Sequence, residues 1–363
     1  MTLANGRRLT FFDRPITRLQ DLYGRGHRDA VEKLSDAVRS KTFAAVTGPR
    51  RIGKTSVVKT CLKESKFKYL LFDLSPYMGR RAVSFRVLSP TEIGLENSKI
   101  SAEVQANLAL INISFKRENA IEGDVFQSNM ISLLRELDKK FRNFCFVVDE
   151  AQVLAFMKGL DAGGLLQLIH NNYTNTSVIL TGSMPGMLLK ILRPTDATEP
   201  SFARYVEIIE VPRWSNEESA SFLRLGLHSS SIRFIESDIA ETIESFSGTP
   251  GFLSYYGIMR TRGKTHARAY DETISFAVSE WKKDVKAFVA IYDSPNYIKA
   301  LKISAATITG MSAVELEGEL KVSKPTAYRL IENLVGAGML LQSGSENKYV
   351  VADPTLKIAI QGL

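Results

Sequence analysis

At 363 residues, 44% hydrophobic and 24% charged, the chain is too long for one small domain and too apolar for a disordered one. Its apolar runs ("YLLF", "FCFVV", "SVIL") stop far short of the roughly 18 residues a membrane helix needs, and two cysteines and four scattered histidines speak against a disulfide framework or a structural zinc site. The formal net charge of +8 lies in residues 1–60, which carry 13 Lys or Arg against 5 Asp or Glu, so the rest of the chain balances to zero. A polyanionic small molecule accounts for such a localised charge as well as DNA does.

The N-terminus "MTLANGRRLTFFDRP" has no apolar core of the kind a secretion signal carries, and Cys61 and Cys145 each sit inside an apolar pattern, so a cytoplasmic location is expected. "KTFAAVTG" (41–48) is a short apolar run ending in a turn, and "GKTSVVKTCLKES" (53–65) has helical spacing through Val57, Val58, Cys61 and Leu62. "FKYLLFDLS" (67–75) is a second strand. The long connection 76–143 holds a candidate ribbon strand, "LALINISF" (108–115), and an amphipathic crossover helix, "FQSNMISLLRELDKKF" (126–141). "RNFCFVVDE" (142–150), "TSVILTGS" (176–183) and "RYVEIIEV" (204–211) supply three more strands. Strands alternating with helices predict an α/β fold, a parallel sheet sandwiched by helices.

After Pro212 the strands stop. "SNEESASFLRLGL" (215–227) and "SDIAETIESFSG" (237–248) open with Ser and acids as helices do, and "DSPN" (293–296) marks a boundary. The last stretch reads as three helices followed by two short strands around "SGSEN".

The chemistry concentrates in "TGPRRIGKTS" (47–56), a GxxxxGK[ST] phosphate loop between a strand and a helix. Its glycines let backbone N–H groups turn around phosphate oxygens, Lys54 reaches the terminal phosphates, and Thr55 ligates Mg²⁺. Gly48, Pro49, Arg50, Arg51, Ile52, Gly53, Lys54, Thr55 and Ser56 are the expected phosphate-binding stretch. "FCFVVDE" supplies the acidic partner: Asp149 to hold the metal and Glu150 to polarise an attacking water. Thr181 or Ser183, at the end of "ILTGS", is expected at the γ-phosphate or the lytic water, and Arg204 is a candidate for its developing charge. A second Gly-Lys-Thr, at 263–265 in "GIMRTRGKTHAR", has no strand before it and reads as a basic connector through Arg260, Arg262, Lys264 and Arg268.

In this order the motifs resemble the archaeal ATPase family of the STAND class, a branch of the AAA+-like P-loop NTPases. "DLYGRGHRDAVEKL" (21–34) is similar to its N-terminal box, "TGPRRIGKTS" has its paired arginines as Walker A, "VVDEAQ" (147–152) is its Walker B, "ILTGSMPGML" (179–188) its following strand end, and "GTPGFLSYYG" (248–257) its lid motif. The resemblance implies ATP/ADP as ligand with Mg²⁺, Arg25 beside the base, and Pro250 of the lid against the nucleotide. It implies a P-loop core over 1–212, a helical lid over 213–292 and a winged helix over 293–363, with hydrolysis driving rearrangement between them. His27 departs from the box, which usually has an acid there.

Within the last segment, helix 323–335 places Ala327, Leu330, Ile331 and Leu334 on one stripe and Tyr328, Arg329 and Glu332 opposite. Residues 297–363 carry seven Lys or Arg against six Asp or Glu, so a DNA partner and a protein partner stay equally open. The rival readings are an ATP-hydrolysing switch and a nucleotide-gated DNA-binding regulator with little turnover. Glu150 favours the first, since pure binding needs no acid beside water. Oligomeric state, and whether Arg204 acts on its own subunit, stay open.

Overall fold

The computed structural model describes residues 9–84, 90–95, 123–158, 160–192, 205–307, 309–344 and 347–363. Helix α1 (Arg25–Arg39) leads into strand β1 (Phe43–Thr47), and the turn 48–53 opens α2 (Lys54–Glu64), followed by β2 (Lys68–Asp73). Short strands β3 (Val83–Ser84) and β4 (Glu92–Gly94) precede α3 (Gly123–Lys140) and β5 (Phe144–Asp149). A 3-10 turn (Ala151–Phe156), β6 (Met157–Lys158), α4 (Ala162–Asn172), β7 (Thr176–Gly182), α5 (Pro185–Leu192) and β8 (Val206–Glu210) follow. From there come α6 (Asn216–Ser229), α7 (Glu236–Phe246), α8 (Pro250–Thr261) and α9 (His266–Tyr292). The chain ends with α10 (Asn296–Ala306), β9 (Met311–Ser312), α11 (Ala313–Leu320), α12 (Lys324–Gly336), β10 (Leu340–Ser343), β11 (Lys348–Val351) and α13 (Pro354–Gln361).

The chain divides into two compact units. One comprises Asp29–Thr47 and Val58–Glu210; the other comprises the described residues up to Arg28, Gly48–Val57 and Val211–Leu363.

The first unit holds a six-stranded sheet in the order β4-β2-β5-β7-β1-β8, parallel except for β4. All five strands expected from sequence are there, and each lies inside its apolar run. Every residue of β1 and β7 is buried, as strands covered on both faces require, which is why their middles read as unbroken apolar runs rather than alternating ones. β8 lies at the edge and alternates, with Ile208 and Glu210 exposed. Phe72, Phe144 and Phe146 from the strands pack with Met130, Leu134 and Leu137 from α3 and Leu165 and Ile169 from α4. The parallel register brings the carboxyl ends of β1, β5 and β7 to one edge: Thr47 pairs with Gly182, and Val148 pairs with Leu180, so Asp149 and Thr181 come next. The expected ribbon strand 108–115 lies outside the described residues.

In the second unit, α6, α7, α8 and α9 enclose a core of Trp214, Phe222, Leu223, Phe246, Phe252 and Tyr256. Phe11 enters this core because α6 and α8 face it with Gly226 and Gly257, where a Cβ would stand 2.2 and 2.4 Å from the Phe11 ring. Ser215 caps α6 in a reciprocal capping box with Glu218, as the sequence indicated. The basic connector needs correction. Gly257 through Thr261 belong to α8, and Arg260 is buried, its Nη1 donating to the Tyr256 hydroxyl at 3.0 Å and its Nη2 to the Arg233 carbonyl at 2.7 Å. Lys264 pairs with Glu272. Only Arg262 and Arg268 keep exposed side chains.

Beyond α9, a three-stranded sheet in the order β10-β11-β9 is accompanied by α10 to α13. On α12 the stripe Ala327, Leu330, Ile331 and Leu334 is buried as read from sequence, while Tyr328 is exposed. The Trp281 indole N–H of α9 donates to Thr355 Oγ1 of α13 at 3.0 Å.

Candidate functional site

The phosphate loop belongs to the second unit, and its backbone needs its glycines. Gly48 has φ +143° and Gly53 φ +103°, both left-handed values that a side chain disfavours. Space is tight as well: a Cβ on Gly48 would lie 3.0 Å from the Val211 carbonyl oxygen, and one on Gly53 3.2 Å from the His27 ring, so either neighbour would have to give way. Between them Arg51 holds φ +63° without being glycine. Its carbonyl accepts from the Gly251 N–H of α8 at 3.0 Å, a contact that fixes this strained residue from outside the loop. Lys54 opens α2 and is buried at 6% exposure, its ammonium donating to the carbonyls of Gly48 at 2.9 Å and Pro49 at 3.0 Å. Thr55 follows it. Ser56, the last predicted member, accepts at Oγ from the Ile16 N–H at 3.1 Å.

Beside the loop lies the N-terminal box. Arg25 is exposed and begins α1, where its backbone N–H donates to Glu218 at 2.9 Å. The buried polar residue of the box is His27, which sequence reasoning noted only as a departure. Its Nε2 lies 2.6 Å from the Ile52 carbonyl. A carbonyl can only accept, so the proton sits on Nε2 and Nδ1 is left as an acceptor. Burial lowers the ring's pKa, which keeps it neutral against the opposing effects of the Ile52 hydrogen bond and Glu218. Among the described residues, His27 Nδ1 and the Trp214 indole N–H are buried with no hydrogen-bond partner. Both flank Gly24, where a Cβ would stand 3.2 Å from His27 Nδ1 and 2.2 Å from Trp214 Nε1. One bare acceptor and one bare donor beside Gly24 are what a ligand with complementary polar edges would satisfy. Pro250 is buried at the first position of α8, where its missing N–H costs nothing.

The acidic pair belongs to the first unit. Asp149 ends β5, and its carboxylate accepts from the Thr181 hydroxyl and from the Glu150 N–H, the latter at 3.1 Å. Glu150 adopts a left-handed φ of +54° before the 3-10 turn. Its Oε2 accepts from the Ser183 N–H at 3.0 Å, the Ser183 hydroxyl at 2.8 Å and the Gln152 side-chain amide at 2.6 Å. Thr181 and Ser183 were expected at a phosphate or water; in this structure each hydroxyl is engaged by one of the two acids. Gln152, 1% exposed, is the residue the motif displayed but sequence reasoning left without a role. Arg204 lies outside the described residues.

The parts fit a nucleotide and Mg²⁺. In the second unit the left-handed glycine loop with its buried lysine suits phosphate, and the bare polar atoms beside Gly24 suit a polar ligand edge; in the first unit the oriented Asp149 carboxylate suits a hard cation.

Comparison with known proteins agrees. Residues 37–187 match the AAA domain family. No curated protein sequence matches. Among solved structures, the chain is similar to the Walker-type ATPase PABY2304 of Pyrococcus abyssi, with 24% identity and a TM-score of 0.73 over 97% of this chain and 99% of that one. It is also similar to the ORC2 protein of Aeropyrum pernix, with 11% identity and a TM-score of 0.56 over 97% and 96% of the two chains. Residues 37–187 thus match an AAA domain, and the chain shares its fold with a Walker-type ATPase.

Proposed function

We propose that the chain is a Mg²⁺-dependent ATPase that acts as a molecular switch of the STAND type, with nucleotide state coupled to rearrangement of a helical lid (213–292) and a winged helix (293–363) about the core (1–212). The observation that carries this reading is the order of chemistry along one sheet edge. β1 ends at Thr47 and passes directly into the glycine loop and Lys54, while Asp149 ends β5 and Thr181 lies one residue before the end of β7 in the same sheet. The helix, strand, helix, helix, strand, strand order of 296–351 supports the winged-helix reading. ORC2, of similar fold, was solved as ADPNP–ADP complexes, which supports an adenine nucleotide.

In this reading Lys54 and the loop amides bind the phosphates, and Thr55 and Asp149 hold the metal. Mg²⁺, when bound, neutralises charge on the transferring phosphoryl group. Glu150 takes up a proton from the attacking water, Ser183 and Gln152 fix its carboxylate, and Thr181 fixes that of Asp149. Arg204 contributes charge at the γ-phosphate, and Arg25 and Pro250 flank the base. The face of α12 that carries exposed Tyr328 and Val335 beside Arg329 and Glu332 is mixed rather than basic, which favours the ATPase over a DNA-binding regulator.

Phosphate release from MgATP by the purified chain tests the proposal. Turnover is expected to stop when Mg²⁺ is chelated. Lys54→Ala is expected to weaken ATP binding at least about tenfold, the loss of one hydrogen bond to a charged group. An unchanged affinity in Lys54→Ala, with no turnover by either protein, would remove the loop from the function. Ser183→Ala and Gln152→Ala are expected to lower kcat by about tenfold with little change in KM, since each releases Glu150 without touching the phosphate-binding groups. A rise in KM at constant kcat would assign both to binding instead.

A further inference from the structure

The paired arginines of the phosphate loop do not stand open to a ligand. Arg50 Nη1 donates to Asp284, and its Nε lies 3.4 Å from Glu280 Oε2. Arg51 donates to the same Glu280 oxygen from Nε at 3.3 Å and from Nη2 at 3.2 Å. Its guanidinium also sits 4.7 Å from the centre of the Phe276 ring. Phe276, Glu280 and Asp284 are spaced four apart on α9, so they form one stripe along one face of that helix. Some 230 residues of sequence separate the partners.

Exposure within the cluster is lopsided. The carboxyl side chains of Glu280 and Asp284 are 6% and 7% exposed, while those of Arg50 and Arg51 are 34% and 33% exposed. A buried carboxylate that loses its cation has no water to replace it, whereas a partly exposed guanidinium retains donors for a second anion. Lys283 donates to Glu280 Oε1 at 2.8 Å, so Glu280 keeps a partner when an arginine leaves. The arrangement is therefore a set of donors at the phosphate loop claimed by α9 and open to competition from polyphosphate.

The geometry points to Glu280 and Asp284 as specificity-determining positioning residues: they hold Arg50 and Arg51 against α9 when ADP is bound, and the additional charge of the third phosphate of ATP draws the guanidiniums off. The inference rests on the nucleotide reading above and adds to it a means of telling ATP from ADP. It also gives the signal a route. Trp281, next to Glu280, ties α9 to α13 through Thr355, and Arg213 bonds both Thr249 of the lid turn and buried Asp353 before α13. Release of the α9 stripe reaches the C-terminal segment through these contacts.

The test compares Kd for a non-hydrolysable ATP analogue and for ADP, both with Mg²⁺, in the full chain and in Glu280→Gln/Asp284→Asn. The variant is isosteric and removes only the competing charge. Its affinity for the ATP analogue relative to ADP is expected to rise by at least about fivefold, the lower end of the usual coupling between sites. The same variant built on Arg50→Gln/Arg51→Gln should leave the ratio unmoved, because the acids act through those arginines. An unchanged or lowered ratio in Glu280→Gln/Asp284→Asn overturns the inference while leaving the ATPase reading intact. Failure of the unmodified chain to bind either nucleotide overturns both. Should the variant not fold, amide hydrogen exchange of the unmodified chain decides: α9 around 280–284 is expected to exchange faster with the ATP analogue than with ADP, and equal exchange overturns the inference.

Discussion

Replacing Glu150 by Gln is expected to reduce ATP turnover by about a hundredfold to ten-thousandfold, the usual contribution of a positioned general base, while nucleotide binding persists. The substitution keeps the shape of the side chain. The amide oxygen can still accept from Ser183 and Gln152, so the loop geometry after β5 should survive. What disappears is the negative charge and the capacity to take a proton. Binding of MgATP should hold or tighten slightly, because one negative charge near the phosphates has gone. This split between kcat and Kd separates Glu150 from Lys54, whose loss acts on binding. A Glu150→Gln protein that turns over at the original rate would leave Glu150 only its place before the 3-10 turn and move water activation to another group. Running both proteins with and without duplex DNA adds a second answer, since stimulation of the unmodified enzyme alone would name nucleic acid as the partner class.

The elements that sequence revealed are those whose cause is local. β1, β5 and β7 were legible because a strand covered on both faces runs apolar through its middle, and the phosphate loop because its glycines answer to backbone angles at Gly48 and Gly53. The helix start at Ser215 carries a capping box within four residues. What escaped has its cause far off in the chain. Nothing near Arg50 or Arg51 announces Glu280 and Asp284, and an acid pair four apart on a helix reads as a solvated face until burial is known. His27 was visible as a departure from a motif, yet its tautomer depends on the Ile52 carbonyl, 25 residues away. The hydroxyls of Thr181 and Ser183 were read as facing ligand because their strand end was recognised. Their hydrogen bonds to Asp149 and Glu150 follow from the parallel register, which sequence leaves unstated. The basic connector failed for a related reason: a charge count cannot show that Arg260 turns inward to Tyr256.

The turn that leads into α8 offers a stability test of comparable size. Gly248 has φ +68°, and a Cβ there would lie 2.0 Å from the Trp214 carbonyl oxygen, 3.0 Å from its carbon and 3.2 Å from its nitrogen. These are backbone atoms, so no rotamer change relieves the clash. The segments are also joined, with the Trp214 N–H donating to the Gly248 carbonyl at 2.9 Å. Gly248→Ala should cost about 1–2 kcal/mol for the left-handed backbone and about 1–3 kcal/mol more for forcing the two segments apart. Gly263 supplies the control, because it has φ +83° and nothing within 4 Å of its vacant Cβ position. Gly263→Ala should therefore show the backbone cost alone. Urea unfolding followed by tryptophan fluorescence measures both, as Trp214 and Trp281 belong to the same unit as the two glycines. Equal losses in the two variants would mean that the Trp214 segment yields freely. A larger loss in Gly248→Ala would show instead that Trp214, with its bare indole N–H beside Gly24, is held in place by the backbone of the turn before α8.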